Sequence, residues 1–229
     1  MIDRGLGRSY NIGMKNVHLL FPVPVYTNIL ELDNQCISDI LETVTWKRDT
    51  DSYGNPNGHT SFSDKNDLLS DPRLTFLSDR IDVEVKTFIH NFIKVSGDRH
   101  HFERTSSWGT RTLKGDYTHE HSHTNSHFSG VYYVKVPPKS GEVLNFSGYR
   151  TNPTFCTGST MFDLDEFNQV NQPISSIKVT EGMLVVFPSH IYHHVPVSTS
   201  FEVRYSISFN YFGFGEFGDS TNYLRIKHA

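Results

Sequence analysis

The apolar positions change period once along this chain. Ile37, Ile40, Leu41 and Val44 follow the i, i+3, i+4, i+7 spacing of one helix face, and Asp33 stands ahead of them as a residue able to cap the first turn. A second stripe, Leu74, Leu77, Ile81, Val85, Phe88 and Phe92, predicts a longer helix running to about Lys94, opened by Asp71 as N-cap and Pro72 in the first turn. From Phe102 onward the helical period is lost. The chain breaks into short β-branched and aromatic runs, SSWGTRT, SGVYYVKV, GEVLNF, SSIKVT, GMLVVF and EVRYSISFNYF, separated by Gly, Pro, Asn and Ser. Many short strands without helices between them argue for an antiparallel sandwich or barrel. Two helices ahead of it would cover one outer face, which makes the fold α+β, mainly β, of jelly-roll type with N-terminal helices packed on one sheet.

The remaining segments are read more simply. Val17 to Tyr26 suits a strand, and Pro22 and Pro24, which cannot donate to a ladder, put it at a sheet edge. Thr50 to Asp67, TDSYGNPNGHTSFSDKND, is mostly turn formers and reads as a solvated connection or, alternatively, as a lid over a site. At 229 residues the chain has length for one sizeable core, so a single domain over 1–229 is expected. Within it, 1–16 should be loose, 17–100 should hold the strand and supporting helices, 102–212 the β core, and 213–229 a tail.

Charge and cysteine usage narrow the function classes. With 25 acidic against 21 basic residues, a net charge of −4 and no block of Lys or Arg, a nucleic-acid-binding surface is not expected. Cys36 and Cys156 lack CxxC spacing, the opening MIDRGLGRSYNIGMK has no apolar signal core, and no apolar run nears the ~20 residues of a membrane span. A cytoplasmic protein with reduced thiols and no membrane partner is therefore expected. The oligomeric state is not encoded legibly, and a homodimer is compatible with the sequence.

The chemistry concentrates in DYTHEHSHTNSHFSGVYY, which carries His119, His121, His123 and His127. On a strand, side chains two apart point to the same face, so the His121 and His123 imidazoles converge and can grip a metal. A third ligand should come from LVVFPSHIYHHVPV, whose His190, His193 and His194 follow an apolar strand. His119 shares the face of His121 and is the main rival ligand, and His127 could sit beside the site or face a substrate. In the next strand Arg204, Ser206, Ser208 and Asn210 alternate with Val203, Tyr205, Ile207 and Phe209, a polar face headed by one arginine. A half-buried strand with that face in water is the plain reading of the alternation.

Taken together, HSHTNSHFSGVYYV, SGEVLNF, FPSHIYHHVPV and RYSISFN resemble the bacterial and phage family of 2-oxoglutarate and iron(II)-dependent oxygenases, and LFPVPVY is similar to that family's opening strand. The resemblance spans roughly Val17 to Phe212 and implies a double-stranded β-helix, the cupin-like form of the jelly roll. It implies Fe(II) and 2-oxoglutarate as cofactors, O2 as second co-substrate, and hydroxylation of a further substrate with 2-oxoglutarate decarboxylated to succinate. Carried over residue by residue, it makes His121, His123 and His193 the metal ligands. It gives Arg204 the distal carboxylate of 2-oxoglutarate, with Ser206 as an added hydroxyl donor. Tyr132 or Tyr133 and Asn125 are further candidate contacts.

In this superfamily the second motif position is ordinarily Asp or Glu, and here it is His123, which the narrower family accepts. A neutral ligand leaves the site one positive charge higher and suits zinc as well as iron. Two alternatives thus stand beside the oxygenase: a cupin-like three-His isomerase or hydrolase, which has no use for Arg204, and a non-catalytic jelly-roll module of a phage or surface assembly.

Overall fold

The computed structural model describes residues 9–12, 15–18, 23–48, 58–61, 67–148, 165–166 and 172–227. In chain order the strands are β1 (Ser9–Ile12), β2 (Lys15–His18), β3 (Tyr26–Ile29), β4 (Lys47–Arg48), β5 (His59–Thr60), β6 (His100–Thr112), β7 (Thr118–His121), β8 (Phe128–Lys135), β9 (Val143–Ser147), β10 (Ile174–Lys178), β11 (Met183–Pro188), β12 (His193–Val195), β13 (Arg204–Phe217) and β14 (Leu224–Ile226). Helix α1 (Asn34–Glu42) follows β3, and α2 (Thr75–Lys86) precedes β6. The major sheet runs β3-β11-β8-β13-β6-β5-β4, with β14 added to the end of β13, and the minor sheet runs β10-β9-β12-β7. Every strand pair in both sheets is antiparallel.

Both helices form where the periodicity places them. The Asp33 side chain accepts the Cys36 N–H at 3.0 Å and so caps α1, and Asp71 accepts the Arg73 N–H at 2.9 Å ahead of a 3-10 turn that leads into α2. Leu74, Leu77, Ile81, Val85 and Phe88 are all buried against the major sheet. The stripe departs from expectation at its end, because Thr87–Phe92 is a π-helical turn in which the Ile93 N–H reaches back to the Phe88 carbonyl. That wider turn leaves Ile93 packed against the core and Phe92 68% exposed.

Other expectations need correcting. The first strand of the major sheet begins at Tyr26, past the prolines, although it does occupy an edge. Residues 9–12 and 15–16, expected to be loose, belong to an antiparallel ribbon in which 9–12 pairs with 15–18. Beyond Gly213 the chain stays in β13 to Phe217 and then pairs back through β14. Of the stretch 50–67, residues 50–57 and 62–66 lie outside the described residues, so the lid reading does too. His59 and Thr60 in its middle form β5, pinned between β4 and β6.

Register sorts the faces of the major sheet. Tyr205, Ile207, Phe209 and Tyr211 of β13 lie beside Tyr132 and Gly130 of β8 and face the helices. A Cβ on Gly130 would stand 2.4 Å from the Phe209 ring and 2.7 Å from the Val185 carbonyl, which is why SGVYY needs a glycine there. The opposite face, carrying Arg204, Ser206, Ser208 and Asn210, looks between the sheets rather than into water: Arg204 is 2% exposed and Ser206 4%.

Candidate active site

The three histidines converge from the minor sheet and the loop after it. His121 ends β7, His123 lies two residues on, and His193 opens β12 directly opposite His121 in register. One ring nitrogen from each lies within 4.8 Å of the other two. The third histidine therefore stands on a short strand of its own.

Ring orientation follows from the second nitrogen. The Nδ1 of His121 lies 2.8 Å from the His119 carbonyl and the Nδ1 of His193 lies 3.0 Å from the Ile191 carbonyl. A carbonyl only accepts, so each Nδ1 carries the proton and each Nε2 keeps its lone pair for a metal. Burial lowers the pKa of all three imidazoles, that of His123 to about 3 with the His121 ring beside it as a further cause, and His193 lies well below its ordinary value. Neutral imidazole is the ligand form. Phe187 of the major sheet, with ring centroids 4.7 Å from His193, and Phe146 of the minor sheet at 6.3 Å wall the centre, and Trp108 stands 5.8 Å from His123.

The rival histidines lie outside this cluster. His119 is exposed, turned onto the Tyr117 ring at 4.8 Å, and contributes its carbonyl rather than its imidazole. His194 points to the other face of β12, where its Nε2 meets Asn145 at 3.1 Å. His190 is exposed, and His127 accepts the Gly213 N–H and packs on Phe212. Glu120 is bonded to Ser147, away from the histidines.

Arg204 is buried on the inner face and donates from Nη1 to the Gly141 carbonyl at 2.7 Å, with its guanidinium 5.9 Å above the Tyr133 ring. Its Nε is buried without a hydrogen-bond partner, and among the described residues no carboxylate forms an ion pair with it. Tyr133 belongs to the same core cluster as Phe187, which touches His193, so the arginine and the imidazoles share one inter-sheet space.

Two candidate contacts fall elsewhere. Tyr132 points to the helices, and its hydroxyl donates to Asn34. Tyr133, its neighbour, takes the inner position because strand residues alternate. Asn125 is exposed at a turn with φ of 56°, a conformation asparagine tolerates, and makes no hydrogen bond among the described residues. Trp108 was missed altogether, since only the β6–β13 register brings it to the inner face opposite Ser208.

Residues 106–210 match the family model described as "Putative 2OG-Fe(II) oxygenase". The chain carries a 2OG-Fe(II) oxygenase domain. An oxidoreductase of the 2OG-Fe(II) oxygenase family from Burkholderia pseudomallei superposes with a TM-score of 0.52 at 13% identity, covering 78% of this chain and 77% of its own. HygX from Streptomyces hygroscopicus, solved with nickel, 2-oxoglutarate and hygromycin B, gives 0.53 at 11% identity over 83% of each chain. A prolyl hydroxylase from Trichoplax adhaerens, in complex with a hypoxia inducible factor peptide fragment, gives 0.54 at 13% identity over 82% of this chain and 83% of its own. Such likeness establishes the fold, a double-stranded β-helix. No curated protein is significantly similar in sequence. Fe(II) and 2-oxoglutarate are the cofactors that the matched family's description names, and the residues here fit both: three neutral imidazoles suit a borderline divalent cation, and a buried guanidinium with an unpartnered Nε suits a carboxylate.

Proposed function

We propose that the oxygenase hydroxylates a second substrate while 2-oxoglutarate loses carbon dioxide. One atom of O2 enters succinate and the other enters the new hydroxyl, so the two electrons taken from each organic partner account for the four that reduce O2. In this reading His121, His123 and His193 hold the metal through Nε2, and the bound metal supplies the oxygen-activating chemistry. Arg204 takes the distal carboxylate of 2-oxoglutarate through its free edge, Ser206 offers a hydroxyl from the same strand face, and Tyr133 fixes the guanidinium plane. Phe146 and Phe187 exclude water behind His193.

The observation that carries the reading is Arg204, buried between the sheets with its Nε unpartnered and no ion pair among the described residues. A three-His hydrolase or isomerase, favoured by the missing carboxylate, gives that arginine nothing to bind. Anaerobic titration of the Fe(II)-loaded protein with 2-oxoglutarate separates the two. The oxygenase should develop the visible charge-transfer band of a chelated keto acid and form succinate on admission of air. No band and no succinate would refute it.

A further inference from the structure

The three metal-facing histidines are held in two different ways. His121 and His193 are each fixed by a ring hydrogen bond to a carbonyl. The His123 ring makes no hydrogen bond among the described residues, and its contacts are the faces of Trp108, His121 and His193. Its position therefore depends on its backbone, and one residue controls that backbone. Ser189, in the turn after β11, accepts the His123 N–H through its carbonyl at 2.9 Å and donates its own N–H to the His127 carbonyl at 3.0 Å. Both ends of the loop from His123 to His127 are thereby tied to the turn that leads into His193.

What fixes Ser189 is a buried chain of polar groups across the inner face of the major sheet. The Ser189 and Ser129 hydroxyls are 2.7 Å apart, Ser129 donates to the Asn210 Oδ1 at 2.7 Å, and the Asn210 Nδ2 donates to the Ser106 hydroxyl at 3.1 Å. Asn210 is opposite Ser129 on one side and Ser106 on the other, so strand register alone lines the groups up. Ser129 commits its only proton to Asn210, so Ser189 is the donor to Ser129. Ser129 and Ser189 are each 1% exposed, and removing the Ser129 hydroxyl leaves the buried Ser189 hydroxyl without its partner.

We propose that Ser129, Ser189 and Asn210 are positioning residues for His123, a polar brace that does for this ligand what a ring hydrogen bond does for the other two. The proposal rests on the reading of the three histidines as the metal site. Ser129→Ala breaks the brace in the middle without touching any histidine. Loss of an outer support of this kind typically weakens metal binding about 10- to 100-fold.

The test is Co(II) binding to the full chain, followed by the visible ligand-field spectrum and by competition for affinity. Ser129→Ala should bind cobalt at least tenfold more weakly and shift the spectrum toward that of His123→Ala, and Ser129→Thr, which restores a hydroxyl, should recover both. Ser189→Ala, which keeps the backbone ties and removes only the anchor, should behave like Ser129→Ala and decides the matter if that variant fails to fold. A lower melting temperature with unchanged cobalt affinity and spectrum would mean the chain is merely structural and would overturn the proposal alone. Wild-type protein that binds no cobalt would sink the metal reading and the proposal together.

Discussion

Arg104 and Arg204 stand on neighbouring strands of one sheet and point to opposite faces. Arg104, on the helix side, donates to Ser78 and lies 3.5 Å from Asp67 and 3.4 Å from Asp82. Arg204, on the inner side, has a backbone carbonyl and an aromatic face, and among the described residues no carboxylate reaches it as an ion pair, Glu142 attracting it only from farther off. The difference extends to the rest of each face. On the helix side Tyr205 donates to Glu42, Tyr211 to Asp82 and Tyr132 to Asn34. A buried charge without a counter-charge destabilises the fold by several kcal/mol. The helix side pairs its charge internally, and the inner side sets a cation without an ion pair among the described residues beside three neutral imidazoles.

Breaking the inner side should abolish ligand binding and spare the fold. His193→Ala is expected to lose tight metal binding altogether, whereas His194→Ala and His119→Ala should keep it, as read by metal content and competition titration. If His194→Ala loses the metal and His193→Ala retains it, the ligand is misassigned. On the helix side the cost should appear in stability alone. Phe88→Ala removes a fully buried ring and should cost about 3–5 kcal/mol in denaturant unfolding, while Phe92→Ala, at the end of the π turn with an exposed ring stacked on Phe88, should cost no more than about 1 kcal/mol. Equal losses would mean the helical stripe continues unbroken to Phe92.

Acid gives a smaller test of the same contrast. In the metal-free protein the three imidazoles have lowered pKa values, so the unfolded chain binds more protons than the native one once pH drops below the ordinary histidine value of about 6.5. Stability is then present above about pH 6.5 and is lost as pH falls, for His123 down to about 3. Between pH 7.5 and 5.5 the loss expected from His123 is on the order of 1 kcal/mol, measured by denaturant melts. His123→Ala should flatten the slope, and an unchanged slope would show that the histidine titrates elsewhere.

How much of this was legible follows from what each signal encodes. The two helices and the six strand runs declared themselves through period and turn residues, and the His-x-His pair through same-face alternation. The π turn did not, because Phe92 satisfies the α-helical spacing as well as Ile93 satisfies the wider one. Nor could alternation within one strand say which face of β8 meets the arginine: Tyr132 and Tyr133 are equivalent until the register sets Ser206 opposite Tyr133. Trp108 and the Ser189–Ser129–Asn210 chain were hidden for the same reason, since cross-strand partners are fixed by register. His119 shares the parity of His121, yet exposure and the Tyr117 ring take it out of the cluster.

Arg204 rather than the ion-paired Arg104 is expected to receive 2-oxoglutarate, and one paired titration separates them. Calorimetric titration of 2-oxoglutarate into the metal-loaded protein should show Arg204→Lys, which keeps the charge and loses the bidentate fork, binding roughly tenfold or more weakly, a loss of ~1–3 kcal/mol, with metal affinity unchanged. Arg104→Lys should bind 2-oxoglutarate as the wild type does and lose only stability. Unchanged affinity in Arg204→Lys, or an equal loss in both variants, would contradict the account.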